Sequence, residues 1–473
     1  MKACDVIKNS GISFGTSGAR GLVEDFTEQV CAAFTQSFLV AMKEQQFEFS
    51  SVAVAIDNRP SSSNMAAAVC AAVESFGCKA VYYGVLPTPA LAYQAMQDKQ
   101  PSIMITGSHI PFDRNGIKFY RPDGEITKLD EAAILNSEVE VNVSSWLLPE
   151  VSQKAFDGYM GRYIDYFGRQ ALAGLKIGIY EHSSAGRDLY AHLFEKLGAT
   201  VVSLGRSDVF VPIDTEAVAE EDRARARVWS KEYGFDAIFS TDGDGDRPLI
   251  ADEKGEWLRG DIAGLLTASL LGVEALAVPV SCNTAIELSE FFKCVVRTRI
   301  GSPYVIDAFD ELVQKYRSVA GFEANGGFLL ATHCESQGKL LKPLPTRDAL
   351  LPAMVLFSQV VVSKSPLSLL VENLPKRFTA SDRIQNIPTD ISRKMIDEGL
   401  QNMSALLIKL GVNRKVAQVN QVDGLRIVLE GGDIIHLRPS GNAPELRCYT
   451  ESSSQLVANE LVTNTLERIK SII

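Results

Sequence analysis

Three times the chain lays down the same alternation of a short apolar strand, a polar loop, a helix and a second strand. It does so over residues 51–83, 175–204 and, more loosely, 275–300. A unit of this kind hides its strands beneath its helices, so three of them in series call for three related α/β domains with mixed sheets. The last hundred residues change character. A helical stretch (391–410) precedes short strands at 425–429, 433–438 and 446–450 and a closing helix from residue 455, which suits an α+β domain with an antiparallel sheet. A chain of 473 residues has room for four such cores, divided here as 1–150, 151–255, 256–367 and 368–473.

The densest chemistry lies in the second unit, at residues 239–250, FSTDGDGDRPLI. Asp242, Asp244 and Asp246 alternate with glycine, and three carboxylates within five residues repel one another unless a hard divalent cation lets all three ionise. The apolar run 235–239 predicts a strand leading into this loop, which places it at a carboxyl end, where open α/β sheets bind ligands. A calcium loop of the helix-flanked type would also start Asp-x-Asp-x-Asp and carry Glu253 at its twelfth place. Its sixth place requires glycine and holds Arg247, and the flanks read as strands. An aspartyl phosphohydrolase with an Asp-x-Asp nucleophile loop is a further alternative, one that gives the remaining motifs nothing to do.

Composition narrows the partners. A hydrophobic content of 46% with 22% charged residues describes a globular chain with no membrane span, since Glu274, Pro352 and Gln359 interrupt the longest apolar stretches. The net charge of −11 argues against nucleic acid, so an anionic ligand must meet a local cluster of cations. Residues 1–14 contain no apolar signal core, and the eight cysteines form no Cys-x-x-Cys pair. Reduced, buried thiols in a cytoplasmic protein are the expectation.

Four further segments supply groups suited to phosphate and sugar. Residues 101–120, PSIMITGSHIPFDRNGIKFY, present Ser108 at a strand end with His109 beside it; Pro111 fixes the loop, Asn115-Gly116 reads as a turn, and Lys118 enters the next strand. SFGTSGARG near the start surrounds Arg20 with small residues whose amides are open to an anion. In GFEANGGFLL, Glu323 and Asn325 offer a carboxylate and an amide to vicinal hydroxyls. HLRPSGNAPELRCY reads as a strand, loop and strand in which Arg438, Ser440, the Gly441 and Asn442 backbone and Arg447 converge as a clamp for phosphate.

Together and in this order, these five segments resemble the α-D-phosphohexomutase family, which includes phosphomannomutases and phosphoglucomutases. The resemblance implies three α/β domains around a central cleft completed by the C-terminal domain, and a serine, Ser108, that carries phosphate in the active enzyme. It implies Mg²⁺ held by Asp242, Asp244 and Asp246 against that phosphoserine, with Arg20, His109, Lys118 and Arg247 around the transferring group. Glu323 would contact sugar hydroxyls, with Asn325 beside it and Ser302 on a second specificity loop. Arg438, Ser440, Gly441, Asn442 and Arg447 would hold the other phosphate. The implied reaction interconverts hexose 6-phosphate and hexose 1-phosphate through a hexose 1,6-bisphosphate, with small-molecule sugar phosphates as partners and neither nucleic acid nor membrane.

The departures from the family pattern concern the sugar. Gly107 and Ile110 stand where alanine and asparagine are common, Asn325 replaces serine, and Asn442-Ala443 replaces Thr-Glu. The segment with Ser302 lacks a histidine found in some members. A phosphomannomutase is the leading expectation, with phosphoglucomutase and phosphoglucosamine mutase as alternatives. A non-catalytic calcium- or phosphosugar-binding protein is the alternative from another class.

Overall fold

Each α/β unit is built on a central strand with a parallel neighbour on either side. In the first, Ser51–Ile56 lies between Lys79–Val85 and Ser102–Ile105; in the second, Lys176–Tyr180 lies between Thr200–Leu204 and Ala237–Thr241. In the third, Ala275–Pro279 lies between Cys294–Thr298 and Val319–Phe322. In every unit the third strand then turns back antiparallel, onto Arg114–Arg121, Pro248–Ala251 and Phe328–Leu330 respectively. The computed structural model describes residues 1–15, 18–108, 110–143, 147–336, 338–440 and 444–471. The loop after the third strand therefore holds Ser108 in the first unit, the aspartates in the second and Glu323 in the third. One topological position, used three times, supplies the three loops that carry the chemistry.

The fourth unit is an antiparallel sheet in the order Phe378–Gln385, Glu445–Ser452, Ile434–Pro439, Leu425–Leu429, Val416–Asn420, with Gln455–Lys470 packed across it. A single apolar cluster threads the three α/β units. It includes Met104 and Tyr120 from the first, Phe194 and Phe239 from the second and Phe322 and Phe328 from the third. Phe194 sits with its ring 5.4 Å from Phe239 and 5.9 Å from Phe357, a residue of the apolar helix Leu350–Ser363. At roughly 1.5–3 kcal/mol for each large side chain fully buried, this shared core fixes the units against one another. Buried Asp348 accepts hydrogen bonds from the hydroxyls of Tyr159 and Tyr163, so the one carboxylate at that seam is satisfied.

Several expectations from sequence shift in detail. The strand before the acidic loop is Ala237–Thr241, because Ser240 and Thr241 pair with Leu249 and Pro248 across the hairpin. Asn115 and Gly116 form no turn; they pair with Gly21 and Arg20 inside the strand Arg114–Arg121. The helical stretch splits into Thr389–Gln401 and Met403–Lys409 at Asn402, whose side chain accepts from the amide of Ala405 and starts the second helix. Strands Phe378–Gln385 and Val416–Asn420 lacked a sequence signal strong enough to foresee, both being largely exposed. All eight cysteines are unbonded, and among the described residues no helix is long and apolar enough to cross a membrane.

Candidate active site

The acidic loop needs its glycines for two different reasons. A Cβ at Gly243 would stand 2.7 Å from the carbonyl oxygen of Ser108, and Gly245 holds φ +71°, which L side chains rarely adopt. With those two positions free of side chains, the loop can close against the serine loop. Ser108, fully buried with φ 53°, donates its hydroxyl to Oδ2 of Asp242 at 2.7 Å. A non-glycine residue in that conformation stores strain of order 1–3 kcal/mol, which the surrounding contacts hold in place.

The three carboxylates share few cations. Lys118 Nζ donates to Asp244 Oδ2 at 2.5 Å and to Asp246 Oδ2 at 2.9 Å, and Thr88 Oγ1 donates to Asp244 at 2.8 Å. Arg347 Nε ion-pairs with Asp246 at 3.1 Å, and Arg247 Nε lies 3.6 Å from Asp246 and 3.9 Å from Asp242. Burial, then repulsion from Asp244 and Asp246, pushes the Asp242 carboxyl well above the usual carboxylate range. Burial also works against ionisation of Asp244, yet the Lys118 ammonium and the hydrogen bond from Thr88 hold it below that range. Ligand oxygens from all three aspartates lie within 4.8 Å of one another, and Asp244 Oδ1, though buried, accepts no hydrogen bond among the described residues. An all-oxygen, anionic donor set with an unused buried oxygen fits a hard divalent cation. The calcium-loop alternative fails on Glu253, whose carboxylate accepts from the amide and hydroxyl of Ser368 and takes no part in the loop.

Cations gather beside the acidic loop. Burial, then the neighbouring guanidiniums of Arg247 and Arg347, lowers the Arg20 pKa to about 10. Three mutually repelling guanidiniums in one place make a site for an anion. Arg347, which the sequence reading missed, is 2% exposed and joins Asp246 to Glu323, 3.4 Å from its Nη1. It lies within the strand Leu344–Asp348, in a stretch with no motif, and only its burial beside two carboxylates reveals it. Thr88 was missed for the same reason, standing at the start of a helix far from the acidic loop in sequence. His109 lies outside the described residues.

The residues expected to face sugar separate. Glu323 is 5% exposed with its backbone amide donating to the Gly327 carbonyl, while Asn325 Oδ1 accepts from the Gly327 amide at 2.9 Å and so shapes the turn. Ser302 is fully buried and donates to Glu125 Oε2 at 2.8 Å, on the seam between the first and third units. In the fourth unit, Arg438 and Arg447 are direct cross-strand partners, and Arg383 pairs with Arg447 on the other side, a row of three guanidiniums. Like charges directly opposed on one face are unfavourable. Asp423, 2.8 Å from Arg438 Nε, and Glu445, 3.6 Å from Arg447 Nε, balance only part of that charge. Ser440 is buried beside them, and Gly441 and Asn442 lie outside the described residues. Glu216 links this row to the catalytic side, close enough to interact with Arg247 and Glu323 as well as Arg447.

Comparison with known proteins identifies the four units. Four regions match the alpha/beta/alpha domains I, II and III and the C-terminal domain of the phosphoglucomutase/phosphomannomutase family, at residues 11–142, 159–255, 261–378 and 374–467. A phosphomannomutase of Salmonella muenchen is 57% identical over 474 residues, covering 99% of this chain and 97% of that protein. One from Sinorhizobium fredii (strain NBRC 101917 / NGR234) is 43% identical, covering 98% and 99%. The crystal structure of a phosphoglucomutase/phosphomannomutase family protein from Burkholderia thailandensis superposes with a TM-score of 0.75 at 19% identity, covering 96% of each chain. Matched domain by domain and along its whole length, the chain belongs to the phosphoglucomutase/phosphomannomutase family.

Proposed function

We propose that this chain is a phosphomannomutase, interconverting mannose 6-phosphate and mannose 1-phosphate through phosphate carried on Ser108 and a hexose 1,6-bisphosphate intermediate. The observation that carries the reading is the Ser108 hydroxyl, held 2.7 Å from Asp242 in a trio of aspartates that pair with Lys118, Arg247 and Arg347. Phosphoryl transfer asks a protein mainly for positioning and for balance of charge, and those are what these residues offer. The likeness to the Salmonella and Sinorhizobium enzymes favours mannose over glucose and glucosamine phosphates.

In this reading the Ser108 Oγ–P bond breaks as a bond forms from phosphorus to a sugar hydroxyl oxygen, and the hydroxyl proton leaves to a protein base. His109 and Lys118 are the pair assigned to proton and charge. Lys118, whose Nζ donates to two carboxylates, suits charge balance. Arg20, Arg247 and Arg347 face the equatorial oxygens. Asp242, Asp244 and Asp246 would hold Mg²⁺, which supplies Lewis-acid neutralisation of the phosphoryl charge. Glu323 accepts from sugar hydroxyls, while Arg438, Ser440, Gly441, Asn442 and Arg447 hold the phosphate that is not transferring. Because the intermediate must turn around, the clamp meets the 1-phosphate in one half-reaction and the 6-phosphate in the other.

Turnover of mannose 1-phosphate, glucose 1-phosphate and glucosamine 6-phosphate, each with a trace of the matching bisphosphate, tests the assignment. The highest kcat/KM is expected for mannose 1-phosphate; a preference for glucosamine 6-phosphate would replace the reading with the alternative.

A further inference from the structure

The loop that presents Ser108 is held by a residue outside the family motifs. Arg59 is 2% exposed and spends all five of its side-chain N–H donors. Nη1 donates to the carbonyls of Pro111 at 2.7 Å and Arg114 at 2.8 Å, and Nη2 to those of Ser108 at 3.1 Å and Ile110 at 2.6 Å. Nε donates to Asp57 Oδ2 at 3.2 Å, and Asp57 in turn accepts from Thr106 Oγ1 at 2.7 Å and from the Gly107 amide at 3.3 Å. One buried ion pair thus grips the serine loop on both sides of Ser108. A Cβ at Gly107 would come 2.5 Å from Arg59 Cζ, so the guanidinium fills the space beside the residue that precedes the serine.

The grip extends to the second unit. Phe210 lays its ring 3.9 Å from Arg59 Cζ, and the same ring would meet a Cβ at Gly243 at 3.1 Å. Asn58, next to Arg59, donates to the carbonyls of Ser183 and Ser184 at 3.2 and 3.0 Å. Arg59 is buried where it meets Phe210, and removal from water strengthens the attraction of a guanidinium to a ring face. It lies where the serine loop and the acidic loop meet.

We propose that Arg59 is a positioning residue. It fixes Ser108 in its left-handed conformation through four loop carbonyls, and through Phe210 it registers the serine loop on the aspartate loop. Its five donors are all taken by protein acceptors, so its loss should slow phosphoryl transfer and leave substrate binding alone. The inference rests on the proposed chemistry at Ser108, and the two can fail separately. If that chemistry is absent, wild-type protein accepts no phosphate on Ser108. If only the Arg59 role is wrong, R59K accepts phosphate from hexose 1,6-bisphosphate as fast as wild type.

The test compares R59K, R59A and F210L in the full chain with mannose 1-phosphate. Lysine keeps the charge but brings three rotatable donors on a flexible stem in place of a planar fork. With the loop displaced by even an ångström, R59K is expected to lose about 10²-fold in kcat at unchanged KM. Its single-turnover phosphorylation of Ser108 should slow in parallel. Guanidinium ion added to R59A should restore part of the lost rate by refilling the cavity. F210L keeps every hydrogen bond and removes only the stack, so a smaller loss of kcat at unchanged KM is expected, and this variant carries the test if R59A does not fold. Unchanged kcat in R59K or in F210L, or a rise in KM with kcat maintained, would overturn the assignment.

Discussion

The Ser108 hydroxyl donates to Oδ2 of Asp242 at 2.7 Å across 134 positions of sequence and between two separately built sheets. The contact exists because the loop after the third strand occupies the same place in both units, and the two face each other. Asp242 is also the one of the three aspartates whose carboxyl is pushed above the usual range, by burial and by its two neighbours, so a cation in this loop would act on the residue nearest the serine.

Asp244→Asn removes one ligand oxygen and the main partner of Lys118. Half-saturation by Mg²⁺ should move to higher concentration, and turnover at saturating metal should fall by about 10² or more, given the several kcal/mol a bound cation supplies. Steady-state rates over a Mg²⁺ titration check it; near wild-type turnover would refute the metal assignment.

Arg347→Met leaves Glu323 buried without its guanidinium and strips Asp246 of one of its cations. Removing one partner of a buried pair costs about 3–5 kcal/mol. The urea midpoint should drop accordingly in metal-free protein, and Mg²⁺ should recover part of the loss by offsetting Asp246. An unchanged midpoint would contradict the bridging role.

Arg438→Ala opens the row of guanidiniums at the distal clamp. A charged hydrogen bond is worth about 1.5–3 kcal/mol, so KM for either sugar phosphate should rise about 10- to 100-fold with kcat little altered. A fall in kcat at constant KM would place Arg438 at the reacting phosphate instead.

His436 is buried, its Nε2 2.5 Å from the carbonyl of Asp423 and its ring 5.4 Å from Tyr449. Burial lowers its pKa from 6.5 to about 4. The unfolded chain then takes up a proton before the folded one does. Stability from this group is complete above pH 6.5 and is lost as pH falls through 4, by roughly 3 kcal/mol in all. His436→Asn should be less stable at pH 7 and should show a shallower decline of the urea midpoint between pH 6.5 and 4. An equally steep decline in the variant would contradict this.

What the sequence disclosed depended on chemistry being local. The acidic loop, the serine loop and the arginine hairpin each compress their functional groups into a few residues, and strands such as Lys176–Tyr180 and Leu425–Leu429 are apolar runs that announce themselves. Arg347 and Thr88 act through partners supplied by other loops, and Arg59 joins its neighbour Asp57 to four carbonyls of the serine loop, so the sequence around them does not mark their role. Asn115-Gly116 carries the chemistry of a turn, but the neighbouring hairpin Ser13–Phe14 and Gly18–Leu22 offers strand pairing that local propensity cannot weigh. Ser302 shows the opposite case: its loop reads as a specificity loop, and its hydroxyl donates to Glu125 at a seam.

The central claim is that Ser108 carries the phosphate. Intact-mass and peptide mass spectrometry of the protein after incubation with hexose 1,6-bisphosphate and Mg²⁺ tests it most directly. One phosphate on Ser108, absent from Ser108→Ala together with mutase activity, is the predicted result. Wild-type turnover with no phosphate on Ser108, or full activity in Ser108→Ala, would contradict it.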